Sequence, residues 1–371
     1  MSASSYASAG PSLSSNLHPL PDNGSQRSPS HFGRIVDGID LSQMSLSTNT
    51  QLQREIVDAI YEHGLLVFRN QSHLSPADEI AFAKLFTYQT DDGDDANVSY
   101  TGGAGKQHRL PNFPSIALVG SYSVQDYHGL TASSPGVYNN WPPNQRAWHC
   151  DGLADTYPPP DLTTMRCIKA TSKGGETLFA SSVKAAELLP TEKLVERFGV
   201  HPEDAHVNYK LFGRYKISLE GTYLEEGAGA KGGEIGGNRD DNDVNLAEGT
   251  TVPLVIRERR TGKRSLVGTY HVASIIANNS CSSSQPTIPM QQQTSLGFQE
   301  ANAYLAEAWR PGLSKEDVYA HRWEVGDLAA WTNRLVIHTA TSTKAYEGEE
   351  RLHTRIRMRS REEDAPMAWK D

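Results

Sequence analysis

Residues 148–152 read Trp148-His149-Cys150-Asp151-Gly152, and the organisation of the chain can be worked out from this stretch. In an extended strand the side chains alternate between two faces, so His149 and Asp151 point the same way while Cys150 points back. An imidazole and a carboxylate side by side supply two of the three ligands in the facial site that holds iron(II) with two histidines and one carboxylate. A His-x-Asp triplet also arises by chance on surface strands. A metal site therefore requires a second histidine elsewhere in the chain.

The bulk composition limits the classes of protein that fit. The chain has 371 residues, a formal charge of −9 and a sequence pI near 5.8. This length fits one large domain or two smaller ones, and no apolar run approaches the length needed to cross a bilayer. The acidic balance argues against nucleic acid as a partner. Cys150, Cys167 and Cys281 are too few and too scattered for a disulfide framework, which predicts a reducing compartment and a cytoplasmic protein.

Composition also divides the chain into segments. Residues 1–30 are rich in Ser, Pro, Asn and Gly and lack periodicity, which predicts a disordered tail. We expect a single domain over residues 31–365. Two stretches within it, at about 89–146 and 225–248, are rich in Gly, Asn and Asp, which predicts mobile insertions. In the first of these stretches only residues 115–120 have the pattern of a strand.

Hydrophobic periodicity predicts helices early and in the middle of the domain. Leu52, Ile56 and Ile60 share one helical face, and Gly64 is placed to end that helix. The segments around the candidate ligands have the pattern of short antiparallel strands. Together these features predict a mainly β jelly-roll with helices outside it, not a doubly wound sheet. Helices are expected at 52–63, 75–86, 182–189, 190–198 and 295–309, and strands at 65–69, 163–170, 176–180, 253–258, 265–267, 318–323, 327–332, 336–339 and 354–358.

The second histidine is His338, which closes the segment Trp331-Thr332-Asn333-Arg334-Leu335-Val336-Ile337-His338. With this segment the chain resembles the taurine dioxygenase-like (TauD/TfdA) branch of the Fe(II)/2-oxoglutarate-dependent oxygenases. Five parts of that family occur here in the same order, and the ordered set is far more specific than any one of them. They are the opening at residues 38–70, Trp148–Asp151, the turn Lys173–Phe179, Trp331–His338 and the arginine pair within Arg351–Arg355.

The resemblance implies a double-stranded β-helix, that is, a jelly-roll or cupin-like core, with outer helices. It implies His149, Asp151 and His338 as iron ligands. It further implies that Thr177 and Arg351 bind the distal carboxylate of the cosubstrate 2-oxoglutarate, since an arginine can hold a carboxylate through two charge-assisted hydrogen bonds. The family's reaction converts 2-oxoglutarate and O2 to succinate and CO2 while it oxidises a small substrate.

The substrate contacts are less well defined by the sequence. Arg355 lies four residues beyond Arg351, so both side chains face the same way on a strand. In relatives an arginine here binds an anionic group of the substrate, and we expect either that role or support of 2-oxoglutarate. Gln145, four residues before His149, is a weaker candidate for substrate contact. The expected substrate is a small anionic organic molecule, with secondary metabolism, a fungal source and a homo-oligomer as accompanying hypotheses.

Two positions depart from the family pattern. Thr332 stands where the family usually has Asp, which predicts altered orientation around the site rather than lost ligation. His353 lies within the arginine pair and is expected to pack in the core.

The other outcomes of the same chemistry, desaturation or cyclisation in place of hydroxylation, stay open. So does a non-catalytic jelly-roll sensor of 2-oxoglutarate or a related acid, whereas a cosubstrate-free cupin dioxygenase is disfavoured because His-x-Asp replaces His-x-His.

Overall fold

The structure is a computed structural model that describes residues 12–22, 27–43, 50–86, 108–135, 145–146, 148–151, 160–209, 219–220, 250–268, 272–278, 293–341, 348–359 and 367–369. Its helices are α1 (Thr50–His63), α2 (Pro76–Lys84), α3 (Ser182–Glu187), α4 (Thr191–Phe198) and α5 (Phe298–Trp309). Its strands are β1 (Leu17–His18), β2 (Arg34–Val36), β3 (Leu65–Phe68), β4 (Arg109–Leu110), β5 (Phe113–Tyr127), β6 (Leu130–Pro135), β7 (Gln145–Arg146), β8 (Pro160–Lys169), β9 (Thr177–Ser181), β10 (Ala205–Tyr209), β11 (Leu219–Glu220), β12 (Thr250–Pro253), β13 (Val255–Arg257), β14 (Arg264–Leu266), β15 (Val272–Asn278), β16 (Gln293–Leu296), β17 (Val318–His321), β18 (Leu328–Thr332), β19 (Val336–Ala340), β20 (Arg351–Arg359) and β21 (Met367–Ala368).

Local sequence explains how the first helices begin and end. The predicted end of α1 is confirmed: Gly64 has φ +75° and its N–H donates to the carbonyl of Ile60. A side chain at Gly64 would also collide with Val336, since an added Cβ would lie 2.7 Å from its Cγ2. The start of α2 is confirmed too, with a reciprocal capping box between Ser75 and Asp78.

Two sheets form the barrel. The larger has nine strands in the order β1-β2-β3-β18-β8-β20-β5-β4, with β6 paired to β5. The smaller has the order β17-β9-β19. Their inner faces share one buried cluster, in which Val67, Met165 and Trp331 of the large sheet meet Phe179 and Tyr319 of the small one. This arrangement confirms the predicted double-stranded β-helix.

Helices and further strands cover the outside of both sheets. α1 and α2 pack on the outer face of the large sheet, where Ile56, Ile60 and Phe82 are fully buried. α5 and the sheet β12-β10-β15-β16 cover the small sheet through a buried cluster, here termed the outer cluster, that includes Cys150, Trp309 and Ile337. Both sheets are thus covered on their outer faces.

Two expectations drawn from composition need correction. Residues 12–22 do not behave as a disordered tail, because β1 pairs with β2 and both Leu13 and Leu20 are buried against the domain. These few leucines gain partners only in the folded structure, which a compositional signal does not detect. Residues 113–127 and 130–135 form paired strands, so order there extends well beyond 115–120. The expected insertion at 225–248 lies outside the described residues, as do 1–11, 23–26, 87–107 and 136–144.

No helix among the described residues has the length and apolar character needed to cross a membrane.

Candidate metal and cosubstrate site

The three predicted metal ligands come together at one edge of the small sheet. His338 lies in the middle of β19, and His149 faces it in an antiparallel bridge in which each backbone N–H donates to the other residue's carbonyl over 2.9 Å. The two imidazole centroids are therefore only 4.2 Å apart. Asp151 lies on the same side, with Oδ1 4.0 Å from Nε2 of His149 and Oδ2 3.8 Å from Nε2 of His338. All three ligand atoms lie within 4.8 Å of one another.

This cluster fits a divalent metal ion by its chemistry. Two imidazole nitrogens and one carboxylate oxygen form the donor set that suits non-haem Fe(II) and leaves positions open for other ligands. Asp151 and His338 are 3% and 6% exposed, whereas His149 is only partly buried, so the cluster opens on the His149 side. Across the described part of the chain, no other group of three such side chains meets this spacing.

The charges around the cluster favour the protonation states that bind a metal. Burial alone would raise the pKa of Asp151, but the nearby positive charges, first that of Arg355 and then that of Arg357, hold that pKa well below its usual range. Burial, and next the proximity of His149, hold the pKa of His338 well below 6.5. The carboxylate is therefore ionised and the imidazole neutral at pH 7, as metal ligation requires.

Two residues without an assigned role in the sequence fix the orientation of Asp151. The hydroxyl of Thr163 donates to Asp151 Oδ2 over 2.7 Å. The side chain of Asn333 accepts from the backbone N–H of Asp151 at 3.1 Å and donates to the Thr163 hydroxyl at 3.0 Å. Thr163 comes from β8 and Asn333 follows β18, and these two strands pair. Asn333 could be suspected from its motif, but no sequence signal marks Thr163.

The two predicted cosubstrate residues also meet. Arg351 begins β20, and its Nη2 donates to the hydroxyl of Thr177 at 3.3 Å while its Nε donates to the carbonyl of Gly175 at 2.9 Å. Gly175 has φ +74°, and an added Cβ would lie 2.7 Å from Thr171 Oγ1. The glycine therefore lets the turn approach the guanidinium closely. The indole N–H of Trp323, a residue missed in the sequence, donates to the Thr177 hydroxyl at 3.0 Å.

Arg355 and Gln145 are the two residues proposed for substrate contact, and the structure describes the side chain of Arg355 only. Arg355 projects from the same face of β20 as Arg351 but lies beside Asp151, with Nη1 3.3 Å from Oδ1. Arg357, which sequence reasoning did not single out, is buried further along that face and acts electrostatically on Asp151. Gln145 pairs through its backbone with Glu220 in the β7–β11 ribbon, and its side chain lies outside what is described.

The departures from the family pattern have structural explanations. The hydroxyl of Thr332 donates to Asp161 Oδ1 at 2.9 Å, and the Tyr61 hydroxyl donates to the other oxygen of that carboxylate at 2.5 Å. A carboxylate from β8 therefore lies beside the position where the family has Asp.

Cys150 packs in the outer cluster, away from the ligands, as expected. His353 is fully buried against Trp323, as expected for a core residue.

Comparisons with known proteins identify the family to which the chain belongs. A model of the family described as taurine catabolism dioxygenase TauD, TfdA matches residues 22–357. The alpha-ketoglutarate-dependent xanthine dioxygenase xan1 of Schizosaccharomyces pombe is 23% identical over 90% of this chain and 84% of its own length. The alpha-ketoglutarate-dependent 2,4-dichlorophenoxyacetate dioxygenase of Cupriavidus pinatubonensis is 25% identical over 87% of this chain and 89% of its own. A taurine dioxygenase crystal structure from Burkholderia xenovorans shares the fold, with a TM-score of 0.55 and 18% identity over 92% of this chain and 89% of that one.

These comparisons confirm the expected fold, reaction class and cosubstrate. Two relatives named for different small molecules, xanthine and 2,4-dichlorophenoxyacetate, are both alpha-ketoglutarate-dependent dioxygenases, and alpha-ketoglutarate is 2-oxoglutarate. The cluster at His149 offers the matching donor set. The chain therefore belongs to the taurine catabolism dioxygenase TauD, TfdA family and is a non-haem Fe(II)/2-oxoglutarate-dependent dioxygenase.

Proposed function

We propose that His149, Asp151 and His338 are the Fe(II) ligands of this dioxygenase. The observation that carries the proposal is the convergence of their ligand atoms to within 4.8 Å, on a carboxylate held ionised by its surroundings. Bound there, Fe(II) supplies the redox chemistry by which O2 and 2-oxoglutarate are converted to succinate and CO2 as the substrate is oxidised. The chain's own part is to hold the ligands in place: the His149–His338 bridge fixes the imidazoles, and Thr163 fixes the carboxylate.

We assign the distal carboxylate of 2-oxoglutarate to Arg351 and Thr177. Arg351 is 6% exposed, and a guanidinium buried to this degree offers a strong, directional partner for a carboxylate. Its Nε is already engaged by the Gly175 carbonyl, which orients the planar group within the barrel. Held there, the molecule would have its 2-oxo acid end free to bind the metal.

The substrate proposed for this site carries an acidic group. Arg355 and Arg357 lie on the face of β20 that also carries Arg351, and both exert their charge on Asp151. Fe(II) adds two further positive charges, against one carboxylate from Asp151 and two from 2-oxoglutarate. The cations named here leave the site net positive, which favours an anionic substrate and disfavours a cationic one. Arg355 is the proposed contact, and Gln145 stays a weaker hypothesis.

The metal and cosubstrate roles can be tested without knowing the substrate. Fe(II) and then 2-oxoglutarate are added to the apo-protein without oxygen, and the visible charge-transfer band between metal and cosubstrate is recorded. We expect a band in the wild type, its loss in His149→Ala and a much higher 2-oxoglutarate requirement in Arg351→Ala. Folded protein that binds iron but gives no band would overturn the cosubstrate assignment. Succinate formation under O2 separates an active enzyme from a non-catalytic sensor.

The acidic substrate can be tested with matched pairs of compounds. Carboxylates and their primary amides differ little in shape, so perturbation of the same band by the acid but not the amide would support an anion site. Arg355→Gln should abolish that preference. If Arg355→Ala left the KM of an identified substrate unchanged but raised that of 2-oxoglutarate, Arg355 would serve the cosubstrate instead. The mass change of the product distinguishes hydroxylation from desaturation.

We also propose a cytoplasmic location and a homo-oligomeric state. A cytoplasmic location is supported by the buried free thiols of Cys150 and Cys167, which are compatible with a reducing compartment. Imaging of a fluorescent fusion tests it, and exclusion from the cytosol would contradict it.

A homo-oligomer is tested by sedimentation velocity, in which a single species near 40.7 kDa would contradict it.

A further inference from the structure

The Thr177 hydroxyl receives two hydrogen bonds inside the barrel. The indole N–H of Trp323 donates to it at 3.0 Å, and Nη2 of Arg351 donates to it at 3.3 Å. Thr177 and Trp323 are 2% and 6% exposed, so neither bond competes with bulk water. Both partners are obligate donors, because neither an indole N–H nor a guanidinium accepts a hydrogen bond.

These two hydrogen bonds determine whether the Thr177 hydroxyl can still accept a hydrogen bond from a ligand or can only donate one. A hydroxyl group carries one hydrogen and two acceptor lone pairs. With both lone pairs occupied by Trp323 and Arg351, Thr177 is left to act only as a donor. A carboxylate is an acceptor on every lone pair, so it is the complementary partner for a hydroxyl restricted in this way. Without the indole, the hydroxyl could rotate and present a lone pair to the carboxylate, which would be repulsive.

The surroundings of Trp323 hold its indole in place. Its ring packs edge-on against the imidazoles of His321 and His353, each at a centroid distance of 4.5 Å. His321 is in turn held by a hydrogen bond between its Nδ1 and the Tyr319 hydroxyl over 2.9 Å. The carboxylate of Asp327 lies 3.2 Å from the other ring nitrogen and accepts from Arg69 at 2.7 Å. This buried set of contacts fixes the indole plane, so that the N–H meets Thr177 before any ligand arrives.

We propose that Trp323 is a positioning residue that sets the Thr177 hydroxyl as a dedicated donor to the distal carboxylate of 2-oxoglutarate. The inference rests on the assignment of that carboxylate to Arg351 and Thr177. Affinity for 2-oxoglutarate then depends on one indole N–H that does not itself contact the 2-oxoglutarate. Discrimination against 2-oxo acids without a second carboxylate depends on the same group.

The experiment replaces only the N–H. Incorporation of 3-benzothienylalanine at position 323 keeps the ring shape and puts sulfur in place of the donor; Trp323→Phe serves as a simpler second variant. The Kd of 2-oxoglutarate and of 2-oxobutanoate, which lacks the distal carboxylate, is measured on the Fe(II) protein without oxygen, together with the Kd of Fe(II). Trp309 provides the matched control, since its indole N–H also donates to a buried carbonyl, that of Gly268, in the outer cluster.

We expect the change at 323 to weaken 2-oxoglutarate binding about five- to tenfold, the order of one buried hydrogen bond. Binding of 2-oxobutanoate and of Fe(II) should change less than twofold, and the control at 309 should leave all three constants unchanged. Combined with Thr177→Val, the change at 323 should add nothing further, because both act through one hydroxyl.

Three results would overturn the inference: equal weakening of both 2-oxo acids, no change in either, or additive effects in the double variant. The underlying assignment has a separate readout in Arg351→Ala. If that variant kept the preference for 2-oxoglutarate over 2-oxobutanoate, the assignment of the carboxylate would fail, whatever the result at 323. If it lost the preference while the change at 323 did not reduce it, the inference about Trp323 alone would fail.

Discussion

Nη1 of Arg355 lies 3.3 Å from Oδ1 of Asp151, so the candidate substrate anchor is also the counterion of a candidate metal ligand. This bond is long, whereas Thr163 holds the other carboxylate oxygen at 2.7 Å. Orientation of Asp151 therefore depends mainly on Thr163, and the principal effect of Arg355 on a bound metal is electrostatic. A positive charge so close to the ligand opposes the binding of a divalent cation.

Replacing Arg355 should consequently tighten metal binding. We expect Arg355→Gln to lower the Kd of Mn(II), measured by electron paramagnetic resonance, by several-fold. Because the Arg355–Asp151 pair is largely buried, added salt should change this gain little. Arg355→Lys, which keeps the charge, is the matched control and should bind Mn(II) like the wild type. Weaker binding in Arg355→Gln would mean that orientation of the carboxylate outweighs repulsion.

The hydroxyl of Thr163 should matter for metal affinity although it is not a ligand. Thr163→Val removes the bond to Asp151 Oδ2 with little change of volume, and loss of a partner of this kind typically weakens metal binding about 10- to 100-fold. Thr164→Val is the matched control, because the next residue along β8 is also buried but points to the opposite face. Calorimetric titration with Mn(II) compares the two. Equal affinities would show that Asp151 needs no such support.

The contrast between Asp151 and Thr163 shows how far the sequence could predict this site. His149 and Asp151 share a side through local alternation, and the surrounding motif marks His338, so the convergence of these three side chains could be predicted. Thr163 reaches Asp151 only because β8 pairs with β18 in a particular register, bringing Thr163 opposite Trp331. No local pattern encodes that pairing. Trp323 was missed for the same reason, since its bond to Thr177 joins residues separated by 146 positions.

The barrel itself was predictable from the same kinds of signal. Short strands around the motif segments and amphipathic α1 indicated sheets covered by helices. The order β3-β18-β8-β20 was not predictable, because each neighbour comes from a distant part of the chain. Residues 12–22 show the opposite failure: their composition predicts disorder, yet docking of Leu13 and Leu20 on the domain stabilises them. Both the strand order and the ordering of residues 12–22 depend on tertiary contacts, which local sequence patterns do not encode.

Gly175 should be required both for stability and for cosubstrate binding. Its φ of +74° disfavours any side chain, and an added Cβ would also press on Thr171 and lie 3.3 Å from Arg351 Cδ. Gly199→Ala is the matched control, since Gly199 has φ +68° and open space around it. Each alanine should cost roughly 1–2 kcal/mol of unfolding free energy through backbone strain. Only Gly175→Ala should also displace Arg351 and raise the Kd of 2-oxoglutarate, by about tenfold or more. A change confined to stability would separate the turn from the cosubstrate site.

His353 should make the stability of the apo-protein depend on pH. It is fully buried, and neither ring nitrogen has a hydrogen-bond partner among the described residues. Burial first, and then the charges of Arg351 and His321, hold its pKa well below 6.5. As the pH falls below about 6.5, His353 binds a proton in the unfolded chain but not in the folded protein. The free energy of unfolding therefore falls as the pH drops below 6.5. The slope from one such group is at most about 1.4 kcal/mol per pH unit.

His353→Met should reduce this dependence and raise stability. Methionine removes the titrating group and fills the space without an unsatisfied polar atom, and such replacements are often neutral or stabilising. His321 and His338 also have lowered pKa values and remain in the variant, so the slope should decrease by about one proton rather than vanish. Urea unfolding of wild type and variant between pH 5.5 and 7.5 measures the difference. Parallel stability curves would show that His353 titrates alike in the folded and unfolded states, whereas a difference in stability that narrows towards pH 7.5 would confirm that the folded protein keeps it neutral.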